Sequence, residues 1–224
     1  MLTFLPLLVF AYLLGAVPFG FLIGKAYGID LRQLGSGNIG ATNAARALGK
    51  KWGIICFLLD VAKGLGPMLL VKLLGLINEQ PTTQQLLLWI LVGVAAVLGH
   101  IFPVYLKFKG GKGVATSLGI VLGLWPYYTI CGLAAFVIWA ITVLIWRYVS
   151  LSSIIAAVSF PVILIGCIVA IESWSFNQLW PLVVIAVLMA LLVIVRHRTN
   201  IVRLRNGSET KVFQRKTQNC DANS

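Results

Sequence analysis

KFKGGKGVATSLGIVLGLWP, residues 107–126, is the stretch on which the fold turns. Three lysines and three glycines lead into an apolar run at 114–125 that stops at Pro126. Twelve residues of helix are about 18 Å long, against about 30 Å of hydrocarbon in a bilayer. Hydropathy alone leaves open whether this segment crosses.

The remainder of the chain is less ambiguous. Over 224 residues it is 59% hydrophobic and 11% charged, with a mean hydropathy of +0.95, which excludes a water-soluble domain. Six further apolar segments, 2–24, 52–77, 86–106, 126–146, 151–171 and 179–195, have spanning length. Met1 to Gly24 carries no charge and so lacks the basic start of a cleaved signal peptide; it reads as the first span.

Charge decides the short segment. Of 18 Lys and Arg, five lie in 25–51, three in 107–112, one at Arg147 and seven from Arg196 onward. The connections around Glu79, Trp125–Pro126 and Glu172 carry none, so the positive-inside rule places all four basic regions in the cytoplasm. That requires seven crossings, with the N-terminus outside and the C-terminus inside. The expected fold is therefore an all-α, polytopic transmembrane bundle of seven spans, the fourth short. It forms one domain over 1–213, followed by a polar tail, 214–224, expected to be disordered. A crossing that short is tolerated where protein or a water-filled cavity covers irregular backbone, which predicts that 110–113 lies in a sunken cavity.

The formal charge of +12 is broken into clusters by apolar spans and forms no continuous stripe, which argues against nucleic acid as a partner and for the membrane itself. Cys56, Cys131, Cys167 and Cys220 have neither zinc nor disulfide spacing and read as packing residues or bystanders.

The first basic loop contains LGSGNIGATNAAR, residues 34–46. Its G-x-G-x-x-G matches the dinucleotide fingerprint, but apolar helical spans stand on both sides where a βαβ unit is needed. What remains is a cradle for anions: Gly35, Gly37 and Gly40 let N–H groups converge, and Ser36, Asn38, Thr42 and Asn43 add short polar side chains. The alternative is a flexible loop with helix caps. The second region holds Gly110, Gly111, Lys112 and Gly113 at the start of the fourth helix. It is no Walker A loop, since Leu106 and Gly113 stand where glycine and Ser/Thr are needed. Free N–H groups, a helix dipole and Lys112 nonetheless suit phosphate; otherwise Lys107, Lys109 and Lys112 are topology signals only.

SLSS, residues 150–153, opens the sixth span, and RHRTNIVRLRNGSE, residues 196–209, follows the seventh. His100 and His197 belong to this face; each alone reads more readily as a hydrogen-bonded structural residue than as a base. Asp60 and Lys63, three apart within the second span, read as a structural ion pair, with an ion pathway as the alternative. Outside the spans on this side the only carboxylates are Asp30, Glu209 and Asp221, too few for paired-acid chemistry or a magnesium cage, so no metal and no cofactor is expected.

GSGNIGATN with Arg46, GHIFPVYLKFKGGKGVAT, SLSS and RHRTNIVRL with a following Gly-x-Glu, in this order and with DVAKG at 60–64, resemble the acylphosphate:glycerol-3-phosphate acyltransferases, the PlsY family. The resemblance covers nearly the whole chain apart from its last dozen residues. It implies a seven-helix enzyme of the bacterial plasma membrane with its active site on the cytoplasmic side, making lysophosphatidic acid from acyl phosphate and glycerol 3-phosphate. It further implies a site lined by Ser36, Arg46, Lys112, Ser150 first and Ser153 second among the SLSS serines, His197 and Asn200, in an enzyme expected to work as a monomer. Two rivals are a small anion transporter and a membrane phosphotransferase. The gathering of polar motifs on one face argues against the first, and the shortage of carboxylates against the second.

Overall fold

A computed structural model describes residues 3–212, all of whose regular structure is helical. The tail at 214–224 lies outside the described residues. Six stretches are long and apolar enough to cross a membrane: Phe4–Ala26, Lys50–Leu73, Thr83–Leu106, Tyr127–Trp146, Val149–Ala170 and Phe176–Arg196. Between the third and fourth of these lies a short apolar helix, Val114–Gly123.

The first stretch corresponds to the first span read from sequence and is interrupted within it. It divides into α1 (Phe4–Ala16) and α2 (Phe19–Ala26), because Pro18 has no N–H to donate and its ring obstructs the preceding turn. The break is supported from elsewhere. Lys63, on α4 (Lys50–Leu73), donates to the freed Val17 carbonyl at 2.8 Å and pairs with Asp60 at 2.8 Å, both side chains almost wholly buried. The structural ion pair is therefore present, and it also satisfies backbone that a proline left open. The 34–46 loop is partly helical. Its second half enters an amphipathic helix, α3 (Ala41–Leu48), and a 3-10 turn at Leu31–Gln33 precedes it.

The third long stretch is α5 (Thr83–Ile101), opened by a capping box in which Thr82 and Gln85 exchange side-chain to backbone hydrogen bonds, and closed by a 3-10 turn at Val104–Leu106. The short helix is α6 (Val114–Gly123). It lies against α4 with almost no side-chain layer between them: a Cβ at Gly64 would sit 2.2 Å from the Thr116 carbonyl oxygen, and one at Gly119 2.2 Å from that of Val61. Without a hydrophobic drive between helices in lipid, such close approach through small residues is what holds them together. The bundle continues with α7 (Tyr127–Trp146), α8 (Val149–Ala170) and α9 (Phe176–Arg196), and ends in α10 (Arg198–Arg205).

The connections sort to two ends. At one, Gln178 donates to the Pro81 carbonyl at 2.6 Å and the Tyr127 and Trp174 rings lie 5.1 Å apart, joining the three connections without basic residues. At the other, Arg46 reaches Thr210, Lys112 reaches Asn200 and Ser150 reaches Glu209, joining the basic ones. Cys56, Cys131 and Cys167 are free thiols; Cys220 lies outside the described residues.

Candidate active site

A cavity of about 410 Å³ opens among the basic connections and runs into the bundle. Its polar mouth is lined by Ser36, Asn38, Gly40, Thr42, Asn43, Arg46, Lys112, Gly113, Ser150, Ser153, His197 and Asn200. Residues from four separate segments thus meet around one space. Gly35, Gly37, Gly110 and Gly111 do not line it.

The reason is local in each case. At Gly110 and Gly111 the N–H groups already donate to the carbonyls of Ile101 and His100, at 3.2 and 3.1 Å, and a Cβ on Gly111 would sit 2.1 Å from the His100 ring. Their carbonyls accept from Arg196. These two glycines dock the loop onto the end of α5, and the unpaired N–H groups of the helix start belong to the first turn of α6 instead. Gly113, in the left-handed region at φ 85°, turns the chain into that helix and does reach the cavity. In the first loop Gly35 and Gly37 shape the backbone with positive φ. The Asn43 side chain is spent on that loop. Its amide is directed at the carbonyls of Leu31, Leu34 and Asn38 and its Oδ1 accepts the Ser36 N–H at 3.1 Å, which leaves it a support for the cradle. Gly40 donates to Asn38 Oδ1 at 2.8 Å, so that N–H is engaged as well.

The C-terminal segment borders the mouth. Lys112 donates to Asn200 Oδ1, Asn200 Nδ2 donates to Glu209 Oε1 at 2.7 Å, and Ser150 Oγ donates to the same oxygen at 2.7 Å. Glu209 was absent from the residues assigned to the site by sequence, although it belongs to the Gly-x-Glu that follows RHRTNIVRL. Its scarcity as a carboxylate on this side was the available signal. Ser117 is a second addition: it lines the cavity, and its buried Oγ has no partner among the described residues. Ser153 is turned differently from Ser150, donating to the Val149 carbonyl at 2.8 Å within its own helix. Ser152 likewise donates to Tyr148 and is fully buried away from the cavity.

Burial depresses Lys112 to a pKa of about 8, with Arg203, Arg46 and Arg196 acting in the same direction and Glu209 opposing them. Burial, then Lys112, takes His197 down to about 4. Its ring is neutral at ordinary pH, and with Nδ1 2.8 Å from the Val193 carbonyl that nitrogen carries the proton, leaving Nε2 as an acceptor. His100 also borders the cavity, together with Asp60, away from the cationic mouth residues. It is buried beside Asp60, with 3.6 Å between Nδ1 and Oδ1, and braces the loop through its backbone.

Deeper in, the lining turns apolar, with Ile90, Val94, Ala135, Phe136, Ala156, Phe160 and Met189 among it. The cavity therefore has the form of an amphiphile: a cationic, donor-rich mouth on a greasy bore. Among the described residues there is no group of three or more His, Cys, Asp or Glu that could hold a metal.

A family model described as glycerol-3-phosphate acyltransferase matches residues 5–207. The chain is 44% identical over 210 residues to the glycerol-3-phosphate acyltransferase of Geotalea daltonii, covering 93% of this chain and 97% of that protein. It is 47% identical over 202 residues to the protein of the same name from Trichlorobacter lovleyi, covering 90% and 93%. Among solved structures, it is similar to crystal structures of PlsY, an integral membrane glycerol 3-phosphate acyltransferase. The glycerol 3-phosphate form is 42% identical with a TM-score of 0.79, and the lysophosphatidic acid form 41% identical with a TM-score of 0.77; each covers 93% of this chain and 95% of that one.

Proposed function

We infer the reaction of this chain, which belongs to the glycerol-3-phosphate acyltransferase family, as transfer of a fatty acyl group from acyl phosphate to the sn-1 hydroxyl of glycerol 3-phosphate. The products are lysophosphatidic acid and inorganic phosphate. The observation that carries the donor assignment is the shape of the cavity, in which Ser36, Arg46, Lys112 and the α6 N-terminus surround a mouth that continues into an apolar bore. Two phosphates need cationic donors at the mouth, and one of them must trail a hydrocarbon chain.

Acyl phosphate is a mixed anhydride, already activated, so the protein's part is to hold, orient and stabilise. The glycerol hydroxyl oxygen attacks the acyl carbon, the bond from that carbon to the phosphate oxygen breaks, and phosphate departs. Arg46 suits the glycerol 3-phosphate group, because a guanidinium offers two parallel donors where an ammonium offers a point charge. Lys112 and the first-turn N–H groups of α6 suit the acyl phosphate and the oxyanion. The hydroxyl proton passes to a phosphate oxygen of the substrate, whose second pKa is near 6. His197, held near 4, is the weaker base and serves as a hydrogen-bond acceptor that aligns the hydroxyl. Ser150, its own proton committed to Glu209, offers its lone pairs to the same hydroxyl.

Purified protein with labelled glycerol 3-phosphate is expected to form product from acyl phosphate, not from acyl-CoA or acyl-carrier protein, and to do so undiminished in EDTA. Equal rates with acyl-CoA, or loss of activity on chelation, would overturn the donor and metal assignments. A transporter has less support than the enzyme: the bore ends on packed aromatic side chains and the homology is to acyltransferases.

The membrane is proposed to be the bacterial plasma membrane, with seven crossings, the N-terminus outside, and the basic end and active site facing the cytoplasm. The one-sided distribution of Lys and Arg supports this orientation. In a Cys-free background, Glu79→Cys is expected to label from outside and Ser208→Cys only after access to the inside. The reverse pattern excludes the topology.

A further inference from the structure

We propose that Tyr128 and Phe160 form the floor of an acyl bore and, with the alanine wall above them, set the length of acyl chain the enzyme accepts. The inference rests on the acyl-phosphate reading and concerns a different part of the same cavity.

Helix α8 carries both ends of the bore. Ser150 is in its first turn at the polar mouth and Phe160 lies ten residues on, about 15 Å deeper at 1.5 Å per residue. Helix α7 measures the depth independently. Trp139 is level with Ser153, about one turn below Ser150, its indole N–H 3.4 Å from Ser153 Oγ, and Tyr128 stands eleven residues away, about 16 Å. From the Ser153–Trp139 contact, Phe160 is about 10 Å along α8 and Tyr128 about 16 Å along α7, and the bore stops where their rings meet between those levels.

The floor is fixed on several sides. Tyr128 is buried, its hydroxyl donates to the Leu182 carbonyl at 2.5 Å, and its ring meets Phe160 edge-on with centroids 4.8 Å apart. Beyond it Leu124 and Leu164 are fully buried, so no passage continues. Above the floor the wall is small: Ala135, Ala156, Ala157 and Ala186 line the cavity, and Ala156 lies six residues from Ser150, about 9 Å deep.

A C–C bond of about 1.52 Å at a tetrahedral angle advances an extended chain about 1.25 Å. A depth of about 15 Å therefore takes about twelve carbons past the carbonyl, and one of about 9 Å takes about seven. Selection does not come from burying more methylenes, since the donor leaves a lipid phase as apolar as the bore. It comes from the closed end, where an excess methylene must fold back or distort packed side chains. In an apolar pocket one methylene too many changes kcat/KM by about 10- to 200-fold where there is no escape.

The test is kcat/KM for acyl phosphates of eight to eighteen carbons, each expressed as a ratio within one preparation so that the amount of folded protein cancels. The parental enzyme is expected to favour chains of about fourteen carbons over eighteen. Ala156→Trp blocks the bore midway and should lower the sixteen-to-eight ratio at least about tenfold; Ala156→Val, if the larger change does not accumulate, should lower it about threefold. Phe160→Ala opens the floor and should raise the eighteen-to-fourteen ratio about fivefold or more. Parental length profiles in both Ala156→Val and Phe160→Ala overturn the proposal. No product from any acyl phosphate with the parental protein would instead overturn the donor assignment.

Discussion

Arg46→Lys is expected to lose about 30- to 1000-fold in turnover while the protein inserts as before, equivalent to removing about 2 to 4 kcal/mol of transition-state stabilisation. The substitution keeps the charge, so the insertion signal survives; what it removes is the planar fork. Arg46 stands on the last turn of α3, where one Nη2 donates to the Thr210 carbonyl at 3.1 Å and the side chain borders the cavity. Lysine has no equivalent pair of parallel donors for a phosphate. Lys112 gives the complementary test. It enters the mouth from the start of α6 and is held by Asn200, so the bulkier Lys112→Arg should displace the phosphate, and a shift of about 1 Å can cost about 100-fold. With its pKa near 8, the parental enzyme should lose kcat/KM as pH rises past about 8, because deprotonation removes the cation that binds phosphate. Lys112→Arg should lack that limb, since guanidinium stays charged. Lys109, exposed and outside the cavity lining, is the control. Turnover near parental in Arg46→Lys, Lys112→Ala and Lys109→Ala alike, at equal protein levels, would reduce the basic residues to topology signals.

Glu209→Gln should move that alkaline limb to lower pH, because the carboxylate is the charge that holds the Lys112 ammonium up against burial. The amide keeps an acceptor for Ser150 or Asn200 and so separates charge from shape. Glu209→Ala removes both: two donors at the mouth lose a shared partner, each at about 1 to 3 kcal/mol, and kcat/KM should fall about 10- to 100-fold with a lower thermal midpoint. The pH profiles of the purified variants decide it. An alkaline limb unmoved in Glu209→Gln would show that the carboxylate does not govern Lys112.

The transmembrane character was legible because hydropathy is a sum over neighbouring residues, and a run of about twenty apolar ones needs lipid whatever lies around it. The short fourth helix was legible only as an apolar run whose start is marked by glycines and lysines; its twelve residues left crossing open, and the placement of Lys and Arg argued for it. Residue types suited to phosphate, Ser36, Arg46 and Lys112, could be picked out because their donor chemistry belongs to the side chain. What each polar group does was not legible, since a donor spent on a distant partner looks the same in sequence as a free one. Gly110 and Gly111 carry N–H groups that α5 consumes, and the Asn43 amide turns inward upon its own loop. Glu209 lies 59 residues from Ser150, and Lys63 lies 46 from the Val17 carbonyl it satisfies. Those pairings exist only once helices pack, because a hydrogen bond is decided over about 3 Å between groups that chain connectivity leaves free to be anywhere. The depth of the bore belongs to the same class: no single helix encodes it, and it appears where α7 and α8 bring Tyr128 against Phe160.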